Sequence, residues 1–177
     1  MIDLPPNLPE MVVCSVKAAE QYDLAPEIVL AVAQAEGGKV GQWVRNLNGT
    51  YDVGVMQFNT EYLKTLEKWG ITPDDVAASG CFPYKLAAWR ISNHIVQDSG
   101  DLWTKVANYH SKTPRFNAIY RERIIGFAES WKQWLANPSP DTLPINKRNT
   151  ESKTLLASED LRTKYPTFED YLKAHGF

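Results

Sequence analysis

The sequence predicts a mainly α chain interrupted by one small β-hairpin or structured loop. Three observations support this. Apolar residues recur at helical spacing through most of residues 1–137, and short joints rich in Pro, Gly and Asn separate those stretches. One segment, Lys39 to Asn59, loses the helical period and alternates instead. With 177 residues, 44% of them apolar, the chain is long enough to bury a core in a single domain.

The elements follow in order. Pro9 and Glu10 open a helix that carries Met11, Val12, Ser15 and Ala19 toward Tyr22. "LAPEIVLAVAQAE" opens another, with Pro26 in the first turn, where a missing N–H costs nothing, and Gly37 and Gly38 at its end. Asn48-Gly49 in "NLNGTYDVGVMQF" is a turn signal for the hairpin. "TEYLKTLEKWG" returns to helix and stops at Gly70. In "TPDDVAASG", Thr72 caps, Pro73 takes the first helical position, and two acids follow in the first turn. Helices are expected from Tyr84 to Gln97 and from Asp101 to Tyr109. The last runs from about Pro114 to Leu135, where Phe116, Tyr120, Ile124, Phe127, Trp131 and Leu135 form one apolar stripe, read as core.

After Asn137 the composition changes. "NPSPDTLPINKRNTESK" is polar and proline-rich, so residues 138–177 read as a linker or wrapping arm beside a domain of residues 1–137. "PTFEDYLKAHGF" carries Phe168, Tyr171 and Leu172 at the spacing of a short amphipathic helix. The net charge of -2 and a pI near 5.9 argue against a nucleic-acid partner. No apolar run is long enough for a membrane span. "MIDLPPNLPE" has neither the basic region nor the apolar stretch of a signal peptide. Cys14 and Cys81 lie outside any CxxC pattern and histidines are scarce around them, so no metal and no cofactor is expected. Two readings of the cysteines stand: buried free thiols, or a bridge worth about 4 kcal/mol by loop closure.

The residues suited to chemistry begin with Glu36. A carboxylate where an apolar helix ends is desolvated and meets the negative end of the helix dipole, so both effects raise its pKa toward that of a general acid. The plainer reading is a glutamate at a frayed helix end, pointing into water. Gly37 and Gly38 leave room for something to approach the carboxylate closely. "YDVGVMQFN" then places Asp52, Gly54, Met56, Gln57 and Asn59 in the non-helical segment, and amide and carboxylate side chains of this kind match sugar hydroxyls and acetamido groups. "VANYHSKTP" places Tyr109 near a helix end, where a hydroxyl can hold a carboxylate in one rotamer. Trp43 either stacks on a sugar ring or packs the hairpin onto the helices. His94 reads as a structural histidine, His110 as a surface or supporting residue, and His175 as solvated.

Together "AEGG", "YDVGVMQFN" and "VANYHS" resemble the three signatures of the lytic transglycosylases with a goose-lysozyme-like domain, in particular those of type IV secretion and conjugation machines. The resemblance covers roughly Pro9 to Trp134. It departs at Gly37, where the wider family often has Ser, and at "ANYHS", where Tyr-Asn-Ala-Gly is commoner. It implies a lysozyme-like fold and a periplasmic or envelope location. It also implies a bridge between Cys14 and Cys81, and peptidoglycan strands as substrate. Glu36 would protonate the oxygen between N-acetylmuramic acid and N-acetylglucosamine, then take the proton of the C6 hydroxyl that closes on C1, leaving a 1,6-anhydro end. By the same resemblance Met56, Gln57, Asn59 and Gly54 would line the sugar groove, and Tyr109 would hydrogen-bond near Glu36.

Asp52 keeps a second outcome open. It is a turn residue bonding nearby backbone, or a supporting carboxylate that biases Glu36, or the second carboxylate of a water-using muramidase. A different class is a glycan-binding assembly factor whose arm, residues 138–177, docks on a secretion-system protein. A third is a helical interaction domain in which Glu36, Gln57 and Tyr109 are unrelated.

Overall fold

The computed structural model describes residues 2–145, and these form a mainly α fold with one small antiparallel sheet. The proposed helix around Phe168, Tyr171 and Leu172 lies outside the described residues.

The helix that organises the others is α2, Pro26–Glu36, because it is apolar on every side. Ile28, Val29, Leu30, Ala31, Val32, Ala33 and Ala35 are all buried, so neighbours must cover it all round. One is α1, Glu10–Gln21, which buries Val12, Cys14, Val16, Ala18 and Ala19. Another is α7, Pro114–Ala136, the longest helix described. The tie between α2 and α7 is partly polar: the Trp131 indole N–H donates to Gln34 Oε1 at 2.8 Å. Gln34 Nε2 in turn donates to the Pro144 carbonyl at 3.1 Å. That bond, with Leu143 and Ile145 against the cluster of Val12, Val16, Leu30, Trp131 and Trp134, brings the stretch after α7 back onto the bundle.

Three strands follow α2: β1 (Trp43–Arg45), β2 (Tyr51–Val53) and β3 (Phe58–Asn59), in the order β1-β2-β3. The turn before β2 is held by its own polar residues. Asn48 Oδ1 accepts from the Thr50 N–H and hydroxyl, and Asn46 Nδ2 donates to Thr50 Oγ1. The short helices then begin where their caps dictate. Asn59 caps α3 (Thr60–Leu66), and Thr72 and Asp75 form a reciprocal capping box on α4 (Pro73–Ala77). The long α5 (Phe82–Gln97) and the short α6 (Leu102–Ala107, capped by Asp101) complete the frame.

A disulfide joins Cys14 in α1 to Cys81 at the start of α5, with Cα atoms 4.8 Å apart. Glu10 reinforces the junction by accepting the Gly80 N–H at 3.0 Å, and its carboxyl is raised above its usual range, chiefly by burial. The bridge closes a sequence separation of 67 residues. Replacing both cysteines by serine is expected to lower the unfolding free energy by about 2–4 kcal/mol. Denaturant titration of the double variant checks this; an unchanged midpoint would show that the bridge constrains little.

Candidate active site

Glu36 is the last residue of α2, and Gly37 terminates the helix in the left-handed conformation at φ 56°. The carboxyl is turned toward the interior and received by α7. Tyr120, buried, donates its hydroxyl to Glu36 Oε1 at 2.6 Å. Burial pushes the Glu36 pKa up to about 7, while the Tyr120 bond and the charge of Arg90 pull the other way. The charge of Asp52 adds to the rise, and Arg123 opposes it. A carboxyl that gains and loses a proton near neutrality suits an acid that must later act as a base. The frayed-end reading of Glu36 is thereby set aside.

A cleft of about 220 Å3 opens beside this carboxyl, lined by Ala35, Glu36, His110, Phe116, Ile119, Tyr120 and Arg123. That is below the roughly 300–1,000 Å3 of a drug-sized pocket, a size suited to one ring-sized group. Phe116 is therefore not part of the core stripe expected for α7: it is 54% exposed and Ile119 62%, both on the cleft. The stripe does pack at Ile124 and Trp131, which are fully buried, and Tyr120 is buried with its hydroxyl spent on Glu36. The physical reason is length. At 1.5 Å per residue α7 is about twice as long as α2, so its first turns reach past the end of the helix it covers.

Gly38 and Gly54 do something other than make room for a ligand. A Cβ on Gly38 would collide with the Gly54 carbonyl and crowd Gln57, and a Cβ on Gly54, at φ 72°, would collide with the Val76 carbonyl. The segment after α2, the turn after β2 and the end of α4 are thus pressed backbone to backbone. Gly54 also donates its N–H to the Gln42 carbonyl at 2.8 Å. Gln57, a non-glycine residue at φ 49°, is tied down by its own side chain, which donates to the Gly54 carbonyl at 2.8 Å.

Tyr109 is buried, but its hydroxyl donates to the Met56 carbonyl at 2.8 Å; the tyrosine on Glu36 is Tyr120. Met56 itself is 0% exposed, so its side chain belongs to the core and not to a groove wall. The two motifs nevertheless meet, because Tyr109 pins the turn that carries Gln57. Arg90 stacks over Tyr109 and Tyr62, 4.6 and 4.0 Å from their ring centroids. His110 stacks on Tyr120 with 4.7 Å between centroids, which buttresses the ring that holds Glu36.

Asp52 is not a turn residue. It sits in the central strand, paired with Val44 and Asn59, and accepts from Asn59 Nδ2 at 2.8 Å. Trp43 is 45% exposed and touches Tyr51 edge to face at 5.8 Å, so it does not pack the hairpin onto the helices. His94 bonds Asp98 at 2.7 Å, away from the cleft. Among the described residues no group of His, Cys, Asp or Glu is placed to hold a metal ion. No helix there is long and apolar enough to cross a membrane. Sequence reasoning missed Tyr120, Phe116, Ile119, Arg90 and Arg123. The available signal was a hydroxyl-bearing aromatic within an otherwise apolar stripe.

Fold and site together define a mainly α chain with a partly buried, neutral-range carboxylic acid at the edge of a small cleft. No protein-family model matches the chain. It is 28% identical over 111 residues to the invasion protein IagB of Salmonella typhimurium and of Salmonella typhi, covering 62% of this chain and 69% of each relative. It is 30% identical over 101 residues to protein IpgF of Shigella flexneri, covering 56% of this chain and 66% of that protein. These are distant relatives.

The acid yields a pH prediction. A carboxyl raised from 4.5 to about 7 binds its proton more tightly in the folded chain, so its contribution to stability is full below about pH 4.5 and is lost as pH rises through about 7. Glu36→Gln, which cannot ionise, is expected to gain roughly 3 kcal/mol on the wild type between pH 4 and pH 8. Denaturant titrations at the two pH values measure the gain; equal differences would mean an ordinary carboxylate. Tyr120→Phe removes a bond that favours the ionised form, so the Glu36 titration followed by NMR is expected to move further upward.

Proposed function

We propose that the chain is a peptidoglycan lytic transglycosylase of lysozyme-like fold, acting in the cell envelope. The observation that carries this reading is the Glu36 carboxyl, partly buried beside a cleft with a pKa near 7 and held through one oxygen by Tyr120. The sequence resemblance and the distant similarity to IagB, whose name marks it as an invasion protein, support it.

The reaction follows from that arrangement. Tyr120 occupies Oε1, which leaves Oε2 to carry the proton toward the glycosidic oxygen between N-acetylmuramic acid and N-acetylglucosamine. As the C1–O bond breaks, the substrate's own N-acetyl group stabilises the cation. The Glu36 carboxylate is stabilised by the Tyr120 hydroxyl and by the charges of Arg90 and Arg123. It then takes the C6 hydroxyl proton, O6 bonds to C1, and a 1,6-anhydro end results. One carboxyl serves twice, so no second carboxylate is required. Asp52 raises the proton affinity of Glu36 through its charge, and its bond to Asn59 fixes it in the sheet. Gln57 and the exposed ring of Trp43 offer contacts for sugars further along the strand, whereas the Asn59 amide is spent on Thr50, Asp52 and the Glu61 N–H. The disulfide fits an oxidising compartment such as the periplasm. The arm beyond residue 137 is proposed to engage a protein of a secretion or conjugation machine.

Digestion of purified peptidoglycan followed by mass spectrometry tests the reading. The wild type is expected to release anhydro-muramic ends and Glu36→Gln to lose at least a thousandfold in rate. Asp52→Asn is expected to retain turnover, with its pH optimum moved down. Reducing muramic ends that vanish in Asp52→Asn would instead establish a muramidase in which water attacks.

A further inference from the structure

The cleft beside Glu36 carries one cation, Arg123, in addition to the Arg90 charge that already supports the Glu36 carboxylate. Arg123 is exposed on its wall, and among the described residues no carboxylate lies within ion-pair distance of it. Its neighbour by two positions is different. Arg121 donates to Thr104 Oγ1 at 2.7 Å and lies 3.6 Å from Asp101, so it serves to fasten α6 to α7. Two residues along a helix turn through about 200°, which sends Arg121 toward α6 and Arg123 toward the cleft.

The surroundings of Arg123 are arranged for a ligand of mixed character. Ile119 lies one turn before it and Phe116 another turn back, both exposed on the same wall. One turn after it, the Phe127 ring centroid is 5.6 Å from the guanidinium and steadies it. The wall thus presents an apolar lip and then a planar fork of donors, the pairing that suits a group with a small apolar part and a carboxylate. For the first step alone the position of this charge is unfavourable. Arg123 favours the ionised form of Glu36, against the protonated form the first step requires. An anion docked on Arg123 cancels that pull and returns the proton to Glu36 at the moment the substrate is seated.

We propose that Arg123 is the specificity-determining residue of the cleft and that it takes a carboxylate borne by the glycan strand next to the bond to be cut. This rests on the peptidoglycan reading above. The carboxylate has two sources: the lactyl group of N-acetylmuramic acid on strands stripped of peptide, or the stem peptide on strands that keep it.

Calorimetric titration of the full chain in a Glu36→Gln background separates these. Three glycans serve as probes: a neutral N-acetylglucosamine pentamer, an alternating N-acetylglucosamine and N-acetylmuramic acid strand without peptides, and the same strand with its stem peptides. With Arg123 present, a carboxylate-bearing strand is expected to bind about tenfold tighter than the pentamer, as a charge-assisted pair predicts. Arg123→Gln is expected to bring that ratio close to one, and Arg123→Lys to keep part of it. A preference on the peptide-free strand assigns the lactyl carboxylate; one confined to the peptide-bearing strand assigns the stem. A preference that survives Arg123→Gln, or its absence with Arg123 in place, overturns the role of Arg123 while leaving the enzyme reading intact. Failure of all three glycans to bind overturns the peptidoglycan reading and this inference with it.

Discussion

The hydrogen bond from the Tyr120 hydroxyl to Glu36 Oε1, 2.6 Å long, is the contact around which the other elements are arranged. It exists because α2 is apolar on every side and must be wrapped, which draws its final carboxyl inward with it. A carboxyl in that position costs stability unless it is protonated or partnered. Tyr120 supplies the partner, α7 supplies Tyr120, and the stack of His110 on the tyrosine ring ties the end of α6 into the same assembly. The sheet reaches this assembly through the backbone contact of Gly38 with Gly54, and Tyr109 fixes the following turn from the other side.

Much of the fold was legible because the signals were local. The capping box at Thr72 and Asp75, Pro26 in the first turn of α2, the turn around Asn48-Gly49 and the glycine stop after Glu36 all sit within a few residues of the event they cause. The candidate site was legible in its first member, since a carboxylate ending a largely apolar helix has few places to go. The remainder was not, because it depends on pairing across the chain. The hydroxyl sets Tyr120 apart from Ile124 within one stripe, but only the finished fold shows that this hydroxyl meets an acid. The overhang of α7 depends on the length of a different helix, so the exposure of Phe116 could not be read from α7 alone. Met56 misled for the opposite reason: its motif suggested a groove, while the sheet turns its side chain into the core.

The glycines at 38 and 54 illustrate how one residue pattern serves two explanations. Both readings begin from the absence of a side chain. The geometry assigns the space to the chain's own carbonyls, so their contribution to any reaction is indirect: they hold the strand bearing Asp52 at a fixed distance from the helix bearing Glu36. The polar ladder of Asn46, Asn48, Thr50, Asn59 and Asp52 adds stiffness to that strand, so the charge that bears on Glu36 comes from a fixed place.

Glu36 and Tyr120 are 84 residues apart, and this has a consequence for the order in which the protein becomes competent. A ribosome delivers the first long before the second. Until the last long helix has emerged and docked, Glu36 stands at an open helix end with the proton affinity of any solvated carboxylate, and the wall that carries Phe116 and Arg123 does not yet exist. Acid strength here is a property of the completed tertiary structure and of no shorter fragment. A nascent or truncated chain ending before α7 would hold the acid's own sequence motif entire and still lack the acid.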